Sequence, residues 1–380
     1  MKLHDLVLQH GRDAARELVP SEQRHLVDLA AAVLGDEKLS LAYLYSGFAM
    51  TGLPHRRLAS DDQVWKRDNG RFSLIVEPGV VLDERGEPVR YGVPYGSRAR
   101  LILLYLQSEA IRTSSRVISL GASMHDWMEK LGVNPGGTNY KAIREQARRL
   151  SACTMTVGWR GQGGVSGFNR ASIVSAMMFV PRRSDGRQSA LWDETAELSH
   201  EFYEALRQHP VPVSEAAIRC IQNSSAVIDV YIWLCYRLRD LKRSIDVPWP
   251  ALHAQFGSEY KTLRQFRAKF KEMLAEARAV YPGAEVEVTH IGVRLHPSVP
   301  AVQPVLVGEQ RSIPRAPRVE EGTALRLKAA TVARFRQLYP GLDFEHFEQR
   351  WIAAQVGRPM PRDPDAQFLA WMAACQRRRA

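Results

Sequence analysis

GGTNYKAIREQARRLSACTMTVGWR, residues 136–160, changes character halfway along. Ile143, Ala147 and Leu150 fall at i, i+4 and i+7, one stripe of a 3.6-residue helix, and Lys141, Arg144 and Arg148 share the opposite stripe. TMTVGW then reads as a strand, with no loop between that is long enough to hold an active site. A charge run alone describes a solvated face. Joined to a strand, it matches the end of a winged helix: helix, short strand, helix, basic helix and hairpin, with the last helix in the major groove and the hairpin on the backbone.

The upstream pieces occur in that order. GSRARLILLYLQSEAIR, residues 96–112, places Leu101, Leu104 and Tyr105 at helical spacing, with Ser97 as its expected N-cap. RVISL, residues 116–120, is a short β-type run. SMHDWMEKLG, residues 123–132, opens on a capping serine, gathers Met124, Trp127, Met128 and Leu131 on one side and stops at glycine. Beyond the basic helix, the glycine-rich tip GQGGVSG (161–167) and a second strand ASIVSAMMFV (171–180) complete an expected wing.

The order then repeats. SEAAIRCIQNSSAVIDVYIWLCYRLRDL supplies helices with Ile228, Ile232, Cys235 and Leu238 at core spacing. IDVPW is the short strand, and PALHAQFG is a helix with proline at its start and glycine at its end. EYKTLRQFRAKFKEMLAEARAV is the long helix, with Leu263, Phe266, Phe270, Met273, Leu274 and Ala277 on its apolar stripe and Lys261, Arg264, Lys269 and Lys271 off it. EVEVTHIGVRLH alternates like a strand pair turned near Ile291 and Gly292. The duplication is one of architecture; no fixed-period sequence repeat accompanies it.

The expected fold class is therefore α+β: tandem winged-helix domains with a small all-α C-terminal module. Residues 1–93 form an N-terminal helical and strand segment packing on the first winged helix, 94–180 the first winged helix and 190–298 the second. Residues 299–322 are a proline-rich linker, and 323–380 the helical module. A net charge of +11 favours a polyanionic partner, because neutralising phosphates releases counterions. Cys153, Cys220, Cys235 and Cys375 show no CxxC spacing, which argues against zinc and a disulfide framework and for a reduced, cytoplasmic protein. No apolar run reaches the roughly 18 residues of a membrane span, and the first residues lack a signal-peptide core.

SGFAMTGLPHRR, FSLIVEPG, GVPYGSRARLILLYLQSEAIRT, SMHDWMEKLGV and GGTNYKAIREQARRLSAC together resemble the plasmid-encoded RepA replication initiators, over most of residues 41–297. The resemblance implies two winged helices that bind repeated sites in double-stranded origin DNA, open a nearby AT-rich stretch and recruit host replication proteins. Carried onto this chain, the candidate DNA contacts are Asn139, Tyr140, Lys141, Arg144, Arg148 and Arg149 on the first basic helix and Arg160 at the end of its strand. On the second half they are Lys261, Arg264, Arg267, Lys269, Lys271 and Arg294. A homodimer, a host helicase or its loader, and single-stranded DNA are further candidate partners. The alternative is a transcriptional regulator with a duplicated winged helix, acting as an autorepressor.

In the C-terminal module Phe344, Phe347 and Trp351 lie at i, i+3 and i+7, and Phe368, Trp371 and Met372 begin another stripe before Arg377, Arg378 and Arg379. Such stripes describe a small three-helix core; aromatics beside arginines can instead stack the bases of single-stranded DNA. Enzymatic readings lack their chemistry. No lysine follows a glycine, so the phosphate-cradling GxxxxGK[ST] loop is absent, and no two histidines are separated by one residue as metal-dependent DNA nicking by a tyrosine requires. Tyr140 and Tyr260, which open the two basic helices, read as packing or phosphate-contact residues rather than nucleophiles. No enzyme activity and no cofactor are expected. Trp65 and Arg67 read as closing a first sheet rather than touching DNA.

Overall fold

The computed structural model describes residues 3–36, 40–68, 72–82, 86–121, 123–160, 166–178, 194–302, 327–339, 344–355 and 363–377. The chain divides into residues 1–303 and 304–380. Its composition of helices and small antiparallel sheets is α+β.

The first unit begins with helices α1 (Leu3–Glu17) and α2 (Arg24–Leu34), which meet through Leu6, Val7, Ala15, Val27 and Ala30. Strand β1 (Leu41–Tyr45) and helix α3 (Ser46–Met50) follow, then strands β2 (Trp65–Asp68), β3 (Phe72–Glu77), β4 (Gly79–Leu82) and β5 (Pro88–Tyr91). Helix α4 (Gly96–Thr113) is buried on almost every side and carries Ile102, Leu106 and Ala110 through the centre of the core. After it come strand β6 (Val117–Gly121), helices α5 (Met124–Lys130) and α6 (Gly137–Ala152), and strands β7 (Thr154–Arg160), β8 (Ser166–Ser172), β9 (Val174–Met178) and β10 (Glu194–Leu198). Helix α7 (His200–Gln208), strand β11 (Pro210–Ser214) and helices α8 (Glu215–Ile221) and α9 (Ser225–Leu238) lead into the second half. That half holds strand β12 (Ile245–Pro248), helices α10 (Trp249–Phe256) and α11 (Leu263–Ala279), and the hairpin β13 (Val286–Val288) and β14 (Gly292–Leu295).

The helix starts have local causes. The hydroxyls of Ser123, Ser199, Ser214, Ser224 and Thr262 each accept a hydrogen bond from a backbone N–H in the first turn of α5, α7, α8, α9 and α11. Each satisfies one of the donors that a helix start leaves bare. Proline at the second position of α10 and Gly257 after its end mark that helix as the sequence indicates.

The helix order repeats as expected; the sheets do not. In the second half β12, the short strand, pairs directly with the second hairpin strand, Ile245 opposite Leu295, in the order β12-β14-β13. In the first half β6 pairs instead with β10, which lies between β6 and β9. The hairpin β7–β8 is extended on its β7 side by β3 and β2 into a four-stranded sheet. The second hairpin strand is residues 166–172 rather than the expected 171–180: the apolar run 171–180 hides a break at the buried Ile173, beyond which the chain enters the other sheet. Gly161–Val165 of the hairpin tip and the connector from Val180 to Trp192 lie outside the described residues.

The N-terminal segment also departs from expectation. Its strands β2 and β3 do join the first hairpin, but β1 pairs with β11, and α2 packs on α8 and α11 of the second half. His4 Nε2 meets the Ala279 carbonyl at 2.8 Å. One hydrophobic core accordingly runs from Ala42 to Leu295 through both halves. The separation at residues 180–190 expected from a polar connector is a feature of sequence alone; packing joins what composition divides.

In the second unit, helices α12 (Ala329–Leu338), α13 (Phe344–Gln355) and α14 (Pro364–Arg377) close around Phe335, Phe344, Phe347, Trp351, Phe368 and Met372. Asp365 accepts from the Lys328 amide at 2.8 Å and the Thr331 hydroxyl at 2.5 Å, tying the start of α14 to the start of α12. The aromatic stripes are core, and Trp351 is fully buried, so base stacking by it is set aside. Arg378 and Arg379, and most of the linker, lie outside the described residues.

Candidate nucleic-acid interface

Helix α6 packs Ile143, Ala147 and Leu150 into the core, each closed to solvent, and this fixes which face looks outward. Lys141 and Arg144 are exposed and have no ion-pair partner among the described residues, and Arg148 lies half-buried beside them. Asn139 holds the turn before the helix: its amide donates to the Asn134 carbonyl at 3.0 Å, and its oxygen accepts from Arg98 at 3.3 Å. The Tyr140 hydroxyl meets His125 Nδ1 at 3.1 Å, tying α6 to α5.

Arg149 does not belong with these cations. It is 3% exposed, bonded to Asp61 and Glu145 at 3.0 Å each and to the Val93 carbonyl at 3.2 Å, and lies 5.2 Å from the Tyr95 ring. A DNA-contact role for it is corrected to a structural one: on a helix with a narrow basic stripe, position 149 turns back toward the core. Burial raises the Asp61 carboxyl, but hydrogen bonds from Arg57 and Arg149 outweigh it and hold the group below its ordinary value. Arg160 ends β7 opposite Ser166, and its side chain lies outside the described residues.

On α11, Phe266 and Phe270 are fully buried and brace Trp249 of α10 at 6.5 and 6.1 Å between ring centres. Lys261, Arg264 and Lys271 are exposed and without an ion-pair partner among the described residues. Arg267 lies between Arg264 and Lys271 on the same stripe, half-buried, with its guanidinium 5.5 Å from the Trp249 ring. Lys269 is paired with Glu272 at 2.7 Å. Arg294 is held by both oxygens of Asp246, at 2.8 and 3.1 Å, so it closes β12 onto β14 before it can serve DNA. Each half thus offers a helix with two exposed cations that have no ion-pair partner among the described residues, Lys141 and Arg144 on α6 and Arg264 and Lys271 on α11, and a hairpin after it.

The joint between the halves was not legible as a site. Arg100 of α4 donates to both oxygens of Asp229 on α9, at 2.6 and 2.7 Å, and to the carbonyls of Leu53, Gly96 and Pro54 at 2.7, 2.9 and 3.3 Å. His55 Nδ1 lies 3.5 Å from Arg100 and 3.0 Å from the Ser225 hydroxyl, and burial lowers its pKa to about 4. Arg67 is also buried here; it lies 4.8 Å from the Trp65 ring, and Trp65 Nε1 donates to the Gly52 carbonyl at 2.8 Å, so this pair closes the sheet as expected. The available signals were a lone arginine and a lone aspartate, each inside an otherwise apolar helical run, Arg100 in ARLILLYL and Asp229 in AVIDVYIWLC.

Residues 93–247 match the family described as plasmid encoded RepA protein. This stretch of the chain is similar to that family. The match begins just before α4, takes in the whole of α6 and both Arg100 and Asp229, and ends within β12. Among solved structures, domains 2 and 3 of RctB are similar at 11% identity, over 67% of this chain and 99% of that one, with a TM-score of 0.42. A second RctB structure of the same domains is 12% identical over 63% and 83%, with a TM-score of 0.37. No curated protein matches the chain. Among the described residues, no helix is long and apolar enough to cross a membrane.

Proposed function

We propose that this chain is a plasmid replication initiator that acts in the cytoplasm, binds repeated sites in double-stranded origin DNA and promotes opening nearby. In this reading both halves are winged helices: α6 and α11 enter successive major grooves, and the hairpins β7–β8 and β13–β14 rest on the backbone. The observation that carries it is the pair of exposed cation rows, Lys141 with Arg144 on α6, and Arg264 with Lys271 on α11 behind Lys261, which lies just ahead of the helix start; each helix is fixed to the core by its opposite face. Neutralising phosphates with such rows releases counterions, and arginines aimed into a major groove read guanine. Two readers on one chain cover adjacent grooves without a dimer.

The helical C-terminal module has its aromatics committed to its own core, which favours a protein partner, a helicase or its loader, over single-stranded DNA. The test is to place the gene and its flanking DNA on a vector that cannot replicate in its host. Persistence of that vector, lost when Arg144 and Arg264 are both replaced by alanine, is the expected result. Specific duplex binding indifferent to Arg144, Arg148, Arg264 and Lys271 replaced together would refute the placement of both helices.

A further inference from the structure

The second hairpin carries two exposed aliphatic side chains at its turn. Ile291 is 46% exposed and Val288 38%, although Val293, opposite Val288 in the ladder, is fully buried. Single exposed aliphatics are ordinary on protein surfaces; these two flank one turn, and that turn is locked. The Thr289 amide donates to the Gly292 carbonyl at 2.9 Å, the Gly292 amide donates to the Thr289 hydroxyl at 3.1 Å, and the Trp249 amide donates to the Ile291 carbonyl at 3.0 Å. A Cβ on Gly292 would stand 2.0 Å from the Val247 carbonyl oxygen, so only glycine lets β12 press this closely against the turn. The isoleucine is held at a fixed place by backbone bonds that owe nothing to its side chain.

Its surroundings are charged in a particular way. Trp249, which grips the Ile291 carbonyl, is the residue whose ring the Arg267 guanidinium faces, and Arg264, Arg267 and Lys271 run along one stripe of α11 at i, i+3 and i+7. On the hairpin itself Arg294 is held by Asp246, and His296 Nε2 lies 3.7 Å from a Glu287 oxygen. Cations on the neighbouring helix draw phosphates, while the turn presents the Ile291 side chain next to the exposed His290.

We infer that the second hairpin is a wedge for duplex DNA. With α11 against the duplex, Ile291, backed by Val288, enters the adjacent minor groove and partly unstacks one base step, bending the DNA. Apolar side chains inserted in this way kink duplexes toward the major groove, and pyrimidine–purine steps are the cheapest to open. The inference rests on the duplex-binding reading above and adds to it a residue and a deformation.

The test uses the full chain and a duplex that this chain selects from a random-sequence pool. The duplex is labelled at both ends for energy transfer and carries 2-aminopurine at its pyrimidine–purine steps. Wild type should shorten the end-to-end distance and raise the 2-aminopurine fluorescence. Ile291→Ala should abolish both signals at saturating protein, weaken binding by about tenfold or less and leave the thermal unfolding curve in place, because the side chain is exposed. Ile291→Phe should keep the bend, and an abasic gap at the step should restore the affinity of the alanine variant. If Ile291→Ala bends and unstacks the duplex as wild type does, the wedge is refuted while duplex binding stands. If wild type selects no duplex at all, the binding reading falls first and the wedge with it.

Discussion

Replacing Asp229 with alanine should lower the unfolding free energy of the first unit by about 3 to 5 kcal/mol, the usual cost of stranding one member of a buried ion pair. The side chains of Arg100 and Asp229 are 6% and 11% exposed, so water cannot take the place of the lost carboxylate. Arg100 would keep its three carbonyl acceptors on Leu53, Pro54 and Gly96 but have no anion beside it. Asp229→Asn keeps an acceptor and the shape, and should cost only about 1.5 to 3 kcal/mol, the worth of a hydrogen bond to a charged group. Arg100→Met combined with Asp229→Leu should recover most of the loss, since apolar replacement of a buried pair is often neutral. Recovery should stop short of wild type because the three carbonyls lose their donor. Against a typical domain stability of about 5 to 15 kcal/mol, the alanine variant loses roughly a fifth or more. Hydrogen exchange resolved to α4 and α9 measures it without interference from the C-terminal helices. An alanine variant within about 1 kcal/mol of wild type, the centre of the distribution for ordinary substitutions, would refute the claim that this pair holds the halves together.

Burial holds His55 at about 4, with Arg100 adding to the effect and Asp229 opposing it. The unfolded imidazole protonates near 6.5, so the stability it contributes is whole above that pH. It drains as pH falls toward 4, by on the order of 3 kcal/mol, and His55→Gln should flatten the urea midpoint across this window. Arg149→Ala should cost about 2 to 4 kcal/mol of folding stability by removing a buried guanidinium from Glu145, Asp61 and the Val93 carbonyl, with Asp61 keeping only Arg57. Arg144→Ala should stay within about 0.5 kcal/mol on the same unfolding curve. In titrations with duplex the Arg144 variant should instead lose about 1 to 3 kcal/mol at one base position if it reads guanine, or bind more weakly on every sequence with a salt slope lower by about one unit if it holds phosphate. A chain ending at Gln303 retains the whole first unit; it should bind the selected duplex with unchanged affinity yet fail to maintain the vector, as measured by plasmid retention.

What the sequence made legible follows from the range of the forces involved. Helices α4, α6, α9 and α11 could be read because their apolar stripes repeat every three to four residues, and α5 also because its cap Ser123 is local; the cap expected at Ser97 is not one, since α4 starts at Gly96 after Tyr95 with no side-chain cap. Strand partners could not. β1 pairs with β11, some 170 residues away, and β10 inserts between β6 and β9; alternation tells which residues share a face and nothing of which strand lies alongside. The same limit applies to the site. Lys141, Arg144, Lys261, Arg264 and Lys271 are exposed as expected, because a cation off an apolar stripe faces out. Arg149 was misassigned because its carboxylate partner Asp61 comes from a loop 88 residues earlier, which no helical wheel contains.

The joint gives the two cation rows a relation that the sequence did not suggest. Had α6 and α11 stood on separate cores joined by a tether, each would search for its groove independently, and the second contact would depend on effective concentration. Here α4 packs directly on α6, α9 packs directly on α11, and Arg100 and Asp229 clamp α4 to α9 within one continuous core. An apolar joint could be as stable, since burying an ion pair adds little net energy. What the pair adds is direction: a guanidinium bonded to both oxygens of one carboxylate and to three carbonyls tolerates only one orientation of the helices that carry them. The clamp therefore serves the angle between α6 and α11 more than the energy of the fold, and in the proposed function that angle decides whether both helices can enter the duplex together.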